Sequence, residues 1–213
     1  MQASGKIDKI KADPVWPGAL ASELKKLETV QEEVLSFQPF TEQEKLDQEQ
    51  VLHLLKLEKN LLYRDNLDQH FTASAWIINP DHSKVLMVWH NIYRSWSWIG
   101  GHADGDGDLV HVARREAIEE SGVENLHLLV KKPISLEILP VAAHLRRGQK
   151  VNTHRHLNLT YLFEASEYSP LSVKPDENSA VGWILLEEIP QRCQEKKMLP
   201  IYQKLGDRLR DLG

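Results

Sequence analysis

Three carboxylates, Glu116, Glu119 and Glu120, stand at i, i+3 and i+4 of a segment from Leu109 to Ser121 that reads as a helix closed by Gly122. That spacing puts all three on one helix face within a single turn. Left unpaired they repel one another. A hard divalent cation removes the repulsion, because Mg²⁺ or Mn²⁺ prefers oxygen ligands and completes its shell with water and substrate phosphate. The same spacing also describes a solvated acidic face with Arg114 and Arg115 beside it. Just upstream, Asp104, Asp106 and Asp108 imitate the first three ligand positions of a calcium-binding EF-hand loop. That loop needs glycine at its sixth place and glutamate at its twelfth, and here those places hold Leu109 and Arg115.

The whole stretch GHADGDGDLVHVARREAIEESGV, from Gly101 to Val123, resembles the Nudix box, G-x5-E-x7-R-E-U-x-E-E-x-G-U with U aliphatic. Gly101 fills the first position, Arg115 and Glu116 the R-E pair, and Glu119, Glu120, Gly122 and Val123 the tail, with Ala117 a small version of the first U. One position departs: the first box glutamate is replaced by Gly107, flanked by Asp106 and Asp108. In the family that glutamate helps to hold the box arginine. Asp108 is expected to take over as partner of Arg115, with Asp104 or Asp106 as substitutes, although it is also well placed as N-cap of the box helix, and Gly107→Glu is expected to be neutral or activating where the backbone is ordinary.

The resemblance implies an α+β protein, an α/β/α sandwich, with Mg²⁺- or Mn²⁺-dependent hydrolysis of the diphosphate linkage in a nucleoside diphosphate joined to another moiety. It assigns metal to Glu116, Glu119 and Glu120. Beyond the box, Glu177 lies six residues before Trp183 and resembles the family's loop glutamate, a metal ligand or general base in some members; a plain polar turn is the other reading. Glu119, Glu120 or Glu177 would accept the proton of the attacking water, with Arg115 beside them. A domain that binds or senses a nucleotide without cleaving it is the alternative that the Gly107 departure keeps open. Isopentenyl-diphosphate isomerase shares the fold but calls for a core cysteine, and Cys193 lies near the chain end.

Substrate-facing candidates are Gly101, Trp98, Arg146 and Arg147. From His144 to His156 the chain holds four Lys or Arg and three His with no acid, charge that suits a diphosphate; an exposed hairpin tip explains it as well. His154 and His156 alternate as metal ligands on one strand face do, but no third soft ligand is evident in sequence. Trp96 and Trp98 suit stacking on a nucleobase or packing in the core.

These residues need a scaffold, and the chain is long enough for one. It has 213 residues, 41% hydrophobic and 27% charged, enough for one full core plus a modest addition. From Gly18 to about Phe37, and from Thr41 to about Leu62, apolar residues recur every three or four positions. Two amphipathic helices follow, the second opened by a Thr41 to Glu44 capping box. They read as a helical extension over residues 1–68, either a hairpin packed on the main domain of residues 69–213 or a homodimer interface. Strands are expected at Phe71 to Asn79, Lys84 to His90, Ile134 to Arg146, His154 to Ala165 and Val181 to Leu185, and a final helix from Gln194 to Leu212 broken by Pro200.

No run approaches the roughly 18 apolar residues of a membrane span, and MQASGKIDKI lacks the apolar core of a secretory signal, so a cytoplasmic protein is expected. Cys193 is the one cysteine, which excludes an intrachain disulfide and a thiolate zinc cage. With 26 basic against 31 acidic residues the net charge is −5, which speaks against broad nucleic-acid binding and for a small nucleotide-type partner.

Overall fold

The computed structural model describes residues 17–146 and 149–212. The chain runs through helices α1 (Pro17–Ser36) and α2 (Glu42–Leu57), then strands β1 (Gln69–Ile78), β2 (Lys84–His90), β3 (Ser95–Ser97) and β4 (Ile99–His102). Helix α3 (Leu109–Ser121) leads to strands β5 (His127–Leu128), β6 (Ser135–Val141), β7 (His144–Arg146), β8 (Gln149–Val151), β9 (His154–Glu164) and β10 (Asn178–Leu185). Helices α4 (Ile189–Arg192) and α5 (Leu199–Leu212) close the chain.

The main sheet has the order β10-β2-β1-β9-β5, with β3 on β2, β4 on β1 and β6 on β9. β1 and β9 run parallel, and the other pairs are antiparallel. β7 and β8 form a separate hairpin. Period-two alternation sorts β1 onto two cores. Phe71, Ala73, Ala75 and Ile77 join the cluster under α1, α2 and α3, while Trp76 and Ile78 join the one under α4 and α5. The first half of the second face is polar instead, with His70, Thr72 and Ser74 buried there. This mixed sheet between helical layers is the α+β sandwich that the sequence predicts.

The two amino-terminal helices do not stand apart. Leu27, Val30, Val34 and Phe37 of α1 and Val51, Leu54 and Leu55 of α2 share a cluster with Leu109, Val112, Ala113 and Ala117 of α3. Thr41 caps α2 by accepting the Glu44 N–H at 3.2 Å, and Glu44 accepts the Phe40 N–H at 2.6 Å, one residue before the position a capping box uses. That carboxylate is otherwise committed inward. Glu44, 1% exposed, meets Lys204 Nζ of α5 at 2.6 Å, and the same Nζ reaches Glu137 of β6 at 2.7 Å. Lys204 thus links two buried acids on different layers, and Arg208 Nη1 stands 3.5 Å from Glu44 as well. We predict that Lys204→Met destabilises the fold by about 3–5 kcal/mol, because it leaves Glu137 buried without its cation and Glu44 with only the longer contact to Arg208; denaturant melts measure this directly.

Four boundaries differ from expectation. α2 stops at Leu57, five residues early, since Leu61 and Leu62 are buried in a turn whose carbonyls accept the N–H groups of Phe71 (2.7 Å) and Gly105 (2.9 Å). The expected strand from Ile134 to Arg146 is divided into β6 and β7. The Val181 strand starts earlier, at Asn178, across an irregular register with β2. Pro200 does not break a helix but sits in the first turn of α5, where its missing N–H is harmless. Among the described residues, no helix is long and apolar enough to cross a membrane.

Candidate active site

Helix α3 begins at Asp108, whose side chain accepts the His111 N–H at 2.9 Å, and ends at Gly122 in the left-handed region (φ 71°). Its inward face carries Glu116 and Glu120 against β4. Gly101 is required there by contact: a Cβ would stand 2.2 Å from the Glu116 carboxyl carbon. Gly100 likewise has no room, with Ser74 Oγ 2.5 Å from where its Cβ would fall.

Glu116, Glu120 and Glu177 offer oxygens that all lie within 4.8 Å of one another. Glu177 reaches the group because its loop is stitched in place. Asn178 Nδ2 donates to the Glu120 carbonyl at 2.9 Å, the Ser172 N–H donates to Ser121 at 2.8 Å, and the Asn91 N–H donates to the Glu177 carbonyl at 2.9 Å. Burial, and then the charges of Glu177 and Glu116, push the Glu120 carboxyl well above the ordinary carboxylate range. Three acids so placed, with oxygen donors only, suit a hard divalent cation.

Glu119 is placed differently from its expected partners. It lies half exposed, 3.0 Å from Lys174 Nζ, and that amine is also 3.4 Å from Glu177. Helical spacing alone does not separate Glu119 from Glu116 and Glu120. The decisive fact is which side of α3 faces the sheet. Lys174 and Asn178 were not singled out in the sequence, and no local signal marks them.

Arg115 turns to the group it neighbours. Its Nη2 donates to the His102 carbonyl at 3.1 Å and to Glu116 Oε1 at 2.8 Å, and Nε lies 3.9 Å from Glu119. Burial disfavours its charge, but Glu116, Glu119 and Asp106 more than offset this and hold its pKa above the ordinary arginine value. The expected pairing with Asp108 is replaced by a capping role, since that carboxylate faces the first-turn amides. Asp104, at φ 48°, forms a two-pronged ion pair with Arg64, at 2.7 and 2.5 Å. Asp106 accepts the Asp108 N–H and contacts the His111 ring.

The glycine in place of the box glutamate has a packing cause. A Cβ on Gly107 would lie 2.7 Å from Lys26 Cβ and 2.9 Å from the Lys26 backbone, so α1 passes where a side chain would stand. Gly107→Glu, expected from sequence to be neutral or activating, is therefore expected to destabilise the protein by about 1–3 kcal/mol by overpacking against helix backbone. A thermal melt without loss of stability would mean that α1 yields easily.

A cleft of about 550 Å³ opens over these residues, lined by Gly101, Glu116 and Glu177 together with His70, His102, His154 and His156. Arg64 and Lys150 also border it. Trp98 lines an adjoining recess with Glu120 and packs edge-on against Tyr202 at 5.6 Å, while its backbone N–H donates to the Tyr202 hydroxyl at 3.2 Å. Trp96 packs against Trp89. Of the expected cations, Arg147 and the Arg146 side chain lie outside the described residues, although the hairpin that carries them reaches the cleft through Lys150 and Val151. Cys193 is buried in the α4 and α5 core beside Ser95, not among the acids.

A family model described as a NUDIX domain matches residues 68–205, and the chain belongs to the Nudix family. It is 32% identical over 97 residues to an uncharacterised Nudix hydrolase, YfcD, of Shigella flexneri. That segment is 45% of this chain and 45% of the relative, so the chain spans under half the length of the curated protein it matches. Among solved structures it is similar to a Clostridium perfringens NUDIX-family hydrolase, with 22% identity and TM-score 0.45 over 64% of this chain and 95% of that one. It is also similar to a C. elegans Ap4A hydrolase binary complex, with 15% identity and TM-score 0.47 over 66% of this chain and 98% of that one. An E. coli dihydroneopterin triphosphate pyrophosphohydrolase shows 15% identity and TM-score 0.47 over 60% and 88%.

Proposed function

We propose that this chain is a pyrophosphohydrolase, dependent on Mg²⁺ or Mn²⁺, that cleaves the diphosphate linkage of a nucleoside diphosphate joined to another moiety. The observation that carries the reading is the convergence of Glu116, Glu120 and Glu177 within 4.8 Å at the wall of a substrate-sized cleft. When bound there, the cation neutralises phosphate charge and lowers the pKa of an attacking water.

The chain's own residues do the rest. Arg115 and the cramped face of Gly101 fix Glu116 in one orientation. Lys174 restrains Glu119 and Glu177, which with Glu120 are the acceptors available for the water's proton. Arg64 and Lys150 supply positive charge at the cleft edge. Trp98 offers an aromatic wall for a base. The ground for a binding domain without catalysis was the missing box glutamate, and the passage of α1 over Gly107 accounts for that residue without any loss of the acidic group.

The test is a screen of nucleotide sugars, dinucleoside polyphosphates, ADP-ribose, NADH and nucleoside triphosphates with Mg²⁺ or Mn²⁺, reading released phosphate products. At least one class should be turned over. Tight nucleotide binding with no cleavage in any would establish the binding domain instead.

A further inference from the structure

In the cleft that Glu116 and Glu177 line, four histidines from three strands crowd one end of the sheet. The parallel register sets His70 of β1 directly beside His156 of β9, and the antiparallel register sets His102 of β4 beside Thr72, the next same-face residue after His70. His154 and His156 share that face of β9. The His70 ring centroid is 5.0 Å from His102, 5.0 Å from His154 and 5.2 Å from His156.

The ring atoms are oriented as well as close. His70 is 4% exposed, and its Nδ1 lies 3.0 Å from the Asn66 carbonyl, which fixes the proton on Nδ1 and leaves Nε2 as a bare acceptor. That Nε2 is fully buried and has no hydrogen-bond partner. An orphaned polar atom at such a site calls for an explanation. His154 repeats the arrangement, with Nδ1 2.9 Å from the Asn152 carbonyl and Nε2 turned inward. A backbone carbonyl on the outer nitrogen is the usual support of a metal-binding imidazole. His70, His102 and His156 offer nitrogens that all lie within 4.8 Å of one another, and His154 Nε2 is 3.1 Å from His156 Nε2. Two imidazole nitrogens bound to one ion at about 2.0–2.1 Å and near-tetrahedral angles are about 3.3 Å apart.

We propose that His70, His102 and His156, with His154 as a fourth donor, form a second cation site that takes a borderline divalent ion of the Zn²⁺ class. Nitrogen-only donors select such ions over Mg²⁺, so the two sites in the cleft differ in kind. The inference stands on the imidazole geometry and does not rest on the hydrolytic reading.

The test uses the full chain, freed of metal and then titrated with Co²⁺ in excess Mg²⁺, with visible absorption as the readout. One Co²⁺ should bind per chain with the d–d bands of an imidazole-ligated ion, and Zn²⁺ should displace it. His102→Ala and His156→Ala, both at partly exposed positions, should each weaken binding by at least about tenfold with the far-UV spectrum unchanged. Glu120→Gln should leave it within roughly twofold, as expected for a separate site. The proposal is overturned if no Co²⁺ or Zn²⁺ binds once Mg²⁺ is present, or if binding survives both histidine changes. Inorganic phosphate binding that needs protonated histidines, without Co²⁺ uptake, would assign the cluster to an anion and also overturn it.

Discussion

Glu120→Gln is expected to lower kcat by at least about a hundredfold while the fold survives, because a charged ligand of the catalytic cation is lost and side-chain volume is kept. Glu120 is the most enclosed of the three converging acids, at 4% exposed, and burial together with the charges of Glu177 and Glu116 disfavours its ionised form. The amide removes that penalty, so the apo variant should melt at or above the wild-type temperature. Glu119→Gln should cost less, on the order of tenfold, because its partners are Lys174 and Arg115 rather than the acidic group. Steady-state kinetics across the series measure the order. Equal losses at both positions would place Glu119 inside the site and contradict the geometry.

Removal of residues 1–66 is the second change with a large expected effect. It strips α1 and α2 from the cluster they share with α3, uncovering a continuous apolar surface on the box helix and the sheet face behind it. Folded monomers rarely expose patches beyond a few hundred Å². The deletion also takes Glu44 from Lys204, and Glu33 from the buried hydroxyl of Tyr161, which donates to it at 2.5 Å. The truncated chain is expected to be insoluble or to lose its cooperative melt. A soluble, monomeric fragment that melts cooperatively would make the helices an appendage, in line with a family match that begins only at residue 68.

What the sequence discloses depends on how local the cause is. The box helix is legible to the residue, because Asp108 as cap, Glu116 and Glu120 at i and i+4, and Gly122 at the end are all set within one segment. Glu177 was legible through its spacing from Trp183, yet the lysine three residues before it was not. Gly107 looked like a defect in the motif, and its cause lies some eighty residues upstream in the backbone of Lys26. The histidine cluster was half legible for the same reason: His154 and His156 share a strand, whereas His70 and His102 join them only through the pairing of β1 with β4 and β9. Pro200 misled because a proline that opens a helix and one that breaks it read alike until the helix start is known.

The most direct measurement is turnover of the best substrate from the screen, with the chain first stripped by chelator and then given Mg²⁺ back. The stripped protein should show no hydrolysis, with full recovery on Mg²⁺. Glu116→Gln, Glu120→Gln and Glu177→Gln should each depress the recovered rate. Hydrolysis that persists without a divalent cation, or that recovers to the wild-type rate in all three variants, would contradict a cation held by these three acids.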